Sequence, residues 1–269
     1  YRLNALRAAW QGFVAHGSDA DREALAAFTR SQANWLDDYE LFMVLQDRHG
    51  PAWTRWPLAL ARRDPTALTA VRDKALAELG FWHFVQWRFH AQWRRLREYA
   101  HTRGVHIVGD APIFVAHQSA DVWARADQFL LDAQGEPLMV AGVPPDYFSA
   151  TGQRWGNPLY RWDAMERDGF TWWKQRLAHL FSLVDVARLD HFRGFEAFWE
   201  IPASDPTAAS TFAPFTVRTA AVRQTDAANE PVEARLGSYL VNHNGYASLN
   251  SMHGMLPYVR MVGYQQPSR

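Results

Sequence analysis

Within residues 184–196 an apolar series, Val184, Val186 and Leu189, runs straight into a charged group of Arg188, Asp190 and His191. A carboxylate beside a guanidinium and an imidazole is chemically capable. Barrels and open α/β sheets place such groups at the carboxyl ends of their strands. The pattern predicts a strand whose core-facing side chains are Val184, Val186 and Leu189, and whose carboxyl end presents Asp190 as the candidate catalytic group. The same residues would also make an ordinary buried salt bridge at a strand end, and residue types alone do not separate the two readings.

Several elements must position this segment. Residues 19–48 carry Leu25, Phe28, Trp35, Leu36, Tyr39, Phe42 and Met43 at helical spacing, with Ser18 as N-cap and Gly50-Pro51 as the stop, which predicts a helix or a helix pair. A second long helix is expected from about residue 66 to 103, with Phe81, Val85, Phe89, Trp93 and Leu96 on one face and Gly104 closing its end. Residues 105–108 read as a buried parallel strand that ends at Gly109-Asp110 and presents Asp110.

From there to about residue 161 the chain is rich in Gly, Pro, Asp and aromatics, and it reads as a long functional loop. Asp168-Gly169 then precede a helix over residues 170–183, with Trp173, Leu177, Leu180 and Phe181 at helical spacing, leading into the Asp190 strand in a βαβ-like order. Beyond Pro206 only residues 238–241 and 258–262 hint at strands.

Composition sets the outer limits. The 269 residues are 48% hydrophobic, enough for a sizeable core. Lys plus Arg equals Asp plus Glu at 28 each, so no net field draws in nucleic acid or an anionic membrane, and neither is expected as a partner. The absence of cysteine excludes disulfides, thiolate metal sites and cysteine redox chemistry, and is compatible with a reducing cytoplasm. No apolar run approaches the ~18 residues of a membrane span and no signal peptide is read at the start, so a soluble protein is expected. The chain opens on Tyr1 rather than Met, which suggests an upstream part. The 11 histidines show no metal pair on an expected helix, and no Gly-rich phosphate loop occurs. No metal or cofactor is therefore expected, and His83 and His90 read as satisfied helix residues.

Four blocks carry a resemblance. They are Gly109-Asp110-Ala111-Pro112-Ile113-Phe114-Val115, then Ala141-Gly142-Val143-Pro144-Pro145-Asp146-Tyr147-Phe148-Ser149, then Gly152-Gln153-Arg154-Trp155-Gly156-Asn157-Pro158-Leu159-Tyr160, and finally residues 188–196 with Phe198-Trp199-Glu200-Ile201-Pro202 behind them. In this order the chain resembles the amylomaltases, the 4-α-glucanotransferases of the α-amylase-like glycoside hydrolase clan. Upstream, residues 33–42, Arg55-Trp56-Pro57-Leu58 and Gln86-Trp87 extend the likeness, which covers roughly residues 1–208.

The resemblance implies a partial TIM (β/α)8 barrel of α/β class with a helical insertion subdomain. Residues 1–104 would be mainly helical, residues 105–208 would hold barrel strands with the aromatic substrate loop, and residues 209–269 form an unassigned tail. It further implies transfer of α-1,4-glucan segments between maltooligosaccharide donors and acceptors by a retaining double displacement, with Asp190 as nucleophile. Arg188 would hold Asp190 ionised and oriented, and His191, Asp110, Tyr147, Phe148, Gln153, Trp155 and Asn157 would contact substrate. The lesser alternative for Asp110 is to cap the following turn, and Asn157 could serve a plain turn. Trp35, Trp82, Trp87 and Trp93 are expected in the core, and Glu196 and Glu200 as structural or outer-site acids.

The family's acid/base glutamate sits in an Ala-Glu-Asp-Leu-Gly-like block that this sequence lacks, and beyond Glu200 the only glutamates are Glu230 and Glu233. An eight-stranded barrel takes about 250 residues, so the chain reads as a fragment of uncertain turnover. An α-1,4-glucan hydrolase and a non-catalytic glucan-binding remnant are the alternatives.

Overall fold

The computed structural model describes residues 1–145, 147, 149–205, 218–219 and 260–262. It begins with helices alone: α1 (Arg2–His16), α2 (Asp19–His49), α3 (Leu58–Ala61), α4 (Pro65–Lys74) and α5 (Leu76–Thr102). The 31-residue α2 is one helix, capped as its sequence predicts. The Ser18 side chain accepts the Asp21 N–H at 3.1 Å, and Gly50 takes φ 90° beyond the other end. Its C-terminal half buries Leu36, Leu41, Phe42, Val44 and Leu45. Helix α1 buries nothing completely, yet Trp10 and Phe13 pack on Phe84, with ring centroids 5.5 and 5.1 Å away.

The single helix expected over residues 66–103 is two. Asp64 caps α4 by accepting the Ala67 N–H at 2.9 Å, Pro65 starts it, and Ala75 at φ −118° separates it from α5. No Gly or Pro marks that break, which hides it from a reading of the sequence. The expected face is also rotated: α5 buries Phe81, Trp82, Phe84 and Trp87, while Phe89 and Leu96 are exposed. Of the four tryptophans expected in the core, Trp82 and Trp87 are there; Trp35 and Trp93 are half-buried, with their indole N–H groups donating to Gln32 Oε1 and Leu183 O.

Gly104 ends α5 as expected, at φ 68°, and leads into β1 (His106–Pro112). The chain returns through α6 (Ala120–Ala124), β2 (Met139–Val143), β3 (Gln153–Pro158), α7 (Trp162–Arg167) and α8 (Thr171–Leu183) to β4 (Val186–Asp190). Then follow β5 (Ala197–Pro202), β6 (Arg218–Thr219) and β7 (Arg260–Val262). One sheet has the order β4-β1-β7, with β1 and β4 parallel; the other has the order β3-β2-β5-β6 and is antiparallel.

Two corrections concern the segments nearest the chemistry. The stretch read as one long loop contains a short helix and two paired strands, concealed by glycines and a proline that usually signal turns. Gly142 is required inside β2: a Cβ there would lie 2.4 Å from Gln153 O and 2.5 Å from Ile201 Cδ1. In β4, Val186 is exposed, because strand faces alternate and Val186 shares its side with Arg188 and Asp190, not with Leu189. Val184, just before the strand, is buried against Gly109, whose missing Cβ would sit 2.6 Å from Val184 Cγ1. Of the strand expected at residues 258–262, the described part, residues 260–262, is β7, which pairs antiparallel with His106, Ile107 and Val108. The one expected at residues 238–241 lies outside the described residues.

Candidate active site

The parallel β1/β4 ladder sets Asp110 opposite Arg188 and Pro112 opposite Asp190. Arg188 Nε donates to Asp110 Oδ1 at 2.6 Å and Nη2 donates to Asp110 Oδ2 at 2.7 Å, a bidentate pair. The same Nη2 stands 3.9 Å from Asp190 Oδ1, an ionic contact rather than a hydrogen bond. The orienting bonds expected for Asp190 therefore go to Asp110. Arg188 is held above its ordinary pKa first by its hydrogen bonds to Asp110, with burial opposing and the charges of Asp110 and Asp190 adding. The Asp190 side chain is 54% exposed and that of Asp110 is 32% exposed, so one carboxylate is committed to the guanidinium while the other faces out.

His191 leaves β4 in the left-handed region, at φ 50° and ψ 45°, and a tight helical turn over Phe192–Phe195 follows. That turn packs on β1's continuation: a Cβ on Gly194 would lie 2.7 Å from Ile113 Cδ1 and 3.0 Å from His191 Cδ2. The His191 ring meets Trp155 edge-on, with centroids 5.0 Å apart and planes at 86°. Trp155, on β3, brings the second sheet beside the Asp190 end of the first. Gln153 Oε1 accepts the Trp155 indole N–H at 3.0 Å, and both side chains are on the exposed face of β3.

Asn157 donates Nδ2–H to Val115 O at 2.9 Å, so this amide ties β3 to the chain beyond β1. Tyr147 is almost wholly exposed. Phe148, Glu230 and Glu233 lie outside the described residues. Asp110, Arg188, Asp190, His191, Trp155 and Gln153 are thus connected, and Asn157 is engaged with backbone.

Sequence reading missed Tyr160, whose hydroxyl donates to Ile113 O beneath the site; burial pushes its pKa well above the ordinary tyrosine value, so it stays protonated. Its signal was available, since a tyrosine fully buried among aromatics needs a partner for its hydroxyl. A depression of about 520 Å³ lined by Trp53, Arg63, Trp123, Asp127 and Arg161 shares no residue with the Asp190 group, which sits on an open face.

Carboxylates carried at the carboxyl ends of a parallel strand pair, beside a sheet that presents an exposed tryptophan, mark the candidate site of an α/β protein. The sequence profile of the 4-alpha-glucanotransferases matches residues 1–236, further than the likeness read from motifs. The 4-alpha-glucanotransferase of Thermus thermophilus is 54% identical over 209 residues, 77% of this chain and 42% of that protein. The enzyme of the same name from Aquifex aeolicus is 48% identical over 186 residues, 69% of this chain and 38% of that protein. In three dimensions the chain resembles amylomaltase from Streptococcus agalactiae, solved in complex with acarbose, with a TM-score of 0.76 and 30% identity across 88% of this chain and 50% of that one. The chain belongs to the 4-alpha-glucanotransferase family and spans about two fifths of the length of these curated relatives.

Proposed function

We propose that this chain supplies the nucleophile side of a 4-α-glucanotransferase site, which moves α-1,4-glucan segments between maltooligosaccharides by retaining double displacement. The Arg188 guanidinium set between Asp110 and Asp190 carries the reading. Asp190 attacks the anomeric carbon as the glycosidic C–O bond breaks and the departing glucan's oxygen takes a proton from an acid/base carboxyl; an acceptor sugar hydroxyl, returning a proton to that carboxyl, then displaces Asp190 and re-forms the α-1,4 link. Arg188, locked by Asp110, keeps a fixed positive charge 3.9 Å from the attacking carboxylate. Trp155 offers its face to a glucose ring and His191, edge-on to it, binds sugar hydroxyls; Gln153 and Tyr147 extend the same surface. Retention also needs an acid/base carboxyl about 5 to 5.5 Å from the nucleophile. Asp110 does not serve, since Arg188 occupies both of its oxygens.

In this reading β1 and β4 are neighbouring strands of a (β/α)8 barrel, entered from α5 and α8, and residues 1–104 form a helical subdomain. Residues 105–208 hold the barrel strands and the substrate surface, followed by the tail at 209–269. A cytoplasmic setting fits the lack of cysteine. Among the described residues no helix is long and apolar enough to cross a membrane.

The lack of an acid/base partner for Asp190 among the described residues favours a second reading, a glucan-binding remnant without turnover. Incubation with maltotriose, run beside Asp190→Asn, separates them. A ladder of longer oligomers lost in the variant supports transfer. Release of glucose without the ladder means hydrolysis, and binding without products means the remnant.

A further inference from the structure

Helix α5 ends in a tight reversal that brings two histidines together. Gly104, at φ 68°, donates its N–H to His101 O at 3.0 Å, and Val105 N–H reaches Ala100 O at 3.0 Å. His101 thus closes the helix while His106 opens β1, and their ring centroids are 5.8 Å apart. Asp185, one residue before β4, is drawn to the same place. Its N–H donates to Ile107 O at 2.9 Å, and its Oδ2 accepts the Ile107 N–H at 2.8 Å. One potential ligand atom from each of His101, His106 and Asp185 lies within 4.8 Å of the others.

The carboxylate is already braced. Its Oδ1 accepts Arg97 Nε–H at 2.9 Å and Nη2–H at 2.5 Å, while Oδ2 stands 2.9 Å from His101 Nε2. Supporting hydrogen bonds of this kind hold a metal-binding carboxylate in place. The Asp185 side chain is 11% exposed and that of His101 is 42% exposed, so a fixed acid lies beneath imidazoles open to solvent. The His106 ring makes no hydrogen bond among the described residues.

We propose that His101, His106 and Asp185 bind a divalent cation of the zinc class, with water completing a four-coordinate shell. His101 Nε2 would exchange its contact with Asp185 for the ion, giving up its proton where it carries one. The cluster lies at the amino ends of β1 and β4, away from Asp110 and Asp190, where residues of such folds serve stability. The ion would tie the end of α5 to the entries of both strands. Arg97 beside it opposes the ion's charge and weakens the site. Motif inspection passes over this cluster because its histidines straddle a helix end and a strand start, and the acid is remote in sequence.

Calorimetric titration of zinc chloride into the full chain at neutral pH tests the site. One saturable zinc per chain is expected, with affinity falling about tenfold or more in both His106→Ala and His101→Ala. Cobalt(II) is expected to give four-coordinate d–d absorption with the parent chain and with neither variant. His106→Ala removes an exposed ring without a hydrogen bond, so it should keep the metal-free melting temperature and lose the rise that zinc gives the parent. No saturable site, or full affinity retained in either variant, overturns the proposal.

Discussion

Arg188 makes both of its short hydrogen bonds to Asp110, at 2.6 and 2.7 Å, and stops 3.9 Å from Asp190. The pair spans the two parallel strands, so the ladder register, not sequence proximity, decides which carboxylate the guanidinium holds. Asp190 is left as the outward carboxylate, with a cation near it that Asp110 prevents from swinging away.

Arg188→Lys should therefore separate function from stability. Lysine keeps the charge but cannot form the planar fork, so its ammonium is free to leave Asp110. The pair is half-exposed, and its loss should cost at most about 1 kcal/mol of stability. Transfer from maltotriose, or maltooligosaccharide binding where no turnover is seen, should fall about tenfold or more. A large drop in melting temperature with unchanged sugar handling would contradict this division.

Much of this arrangement is legible before any coordinates. Ser18 and Gly50 bound α2, Gly104 ends α5, and the short apolar run after it is β1, because capping chemistry and apolar runs are local signals. Arg188, Asp190 and Asp110 stand out by type, and their family resemblance fixes the class. What the sequence hides is long-range. The α4/α5 break at Ala75 has no breaker residue, β2 and β3 carry glycines that look like turns, and the Asp110–Arg188 bond depends on a register between remote segments. The buried face of α5 depends on where α1 and α2 lie.

Gly194 and Gly12 make a matched test of packing. Gly194→Ala would press a methyl against Ile113 and His191, at 2.7 and 3.0 Å, and should destabilise by roughly 1–3 kcal/mol while displacing the His191 turn. Gly12 lies inside α1 with nothing within 4 Å of its added Cβ, so Gly12→Ala should stabilise by about 0.5–1 kcal/mol. Urea unfolding of both variants checks the signs; equal shifts would refute the proposed close packing at Gly194.

The interior histidines set an acid limit to stability. Burial first, and then the neighbouring His179, lower the pKa of His90 to about 4. The ring packs among Phe28, Trp35 and His179, with centroids 5.1, 6.0 and 5.4 Å away. The unfolded chain titrates such a ring near about 6.5. The folded pKa is depressed, so the unfolded state binds the proton more readily. The stabilisation is complete above the unfolded pKa and is lost as pH falls towards 4. His90→Gln should flatten unfolding free energy against pH between about 6.5 and 4. His179, lowered mainly by burial with Asp121 opposing, leaves a smaller residual slope of the same sign. An unchanged slope in His90→Gln would remove His90 as its source.

Trp155 tests the contact surface itself. Trp155 is 38% exposed, held by Gln153 and the His191 ring, and its ring centroid lies 6.4 Å from that of Phe114, so it borders the core rather than filling it. Trp155→Ala should shift the melting temperature only slightly, whereas an aromatic platform worth about 0.5–1.5 kcal/mol beyond its buried area should weaken maltooligosaccharide binding by up to about tenfold. Trp155→Phe keeps an apolar face and should recover part of that loss, although it cannot donate to Gln153. Calorimetric titration of a maltooligosaccharide into the three proteins distinguishes a sugar platform from a wall residue. If the alanine variant binds as the parent does, the glucan runs elsewhere and His191 and Gln153 lose their assigned contacts with it.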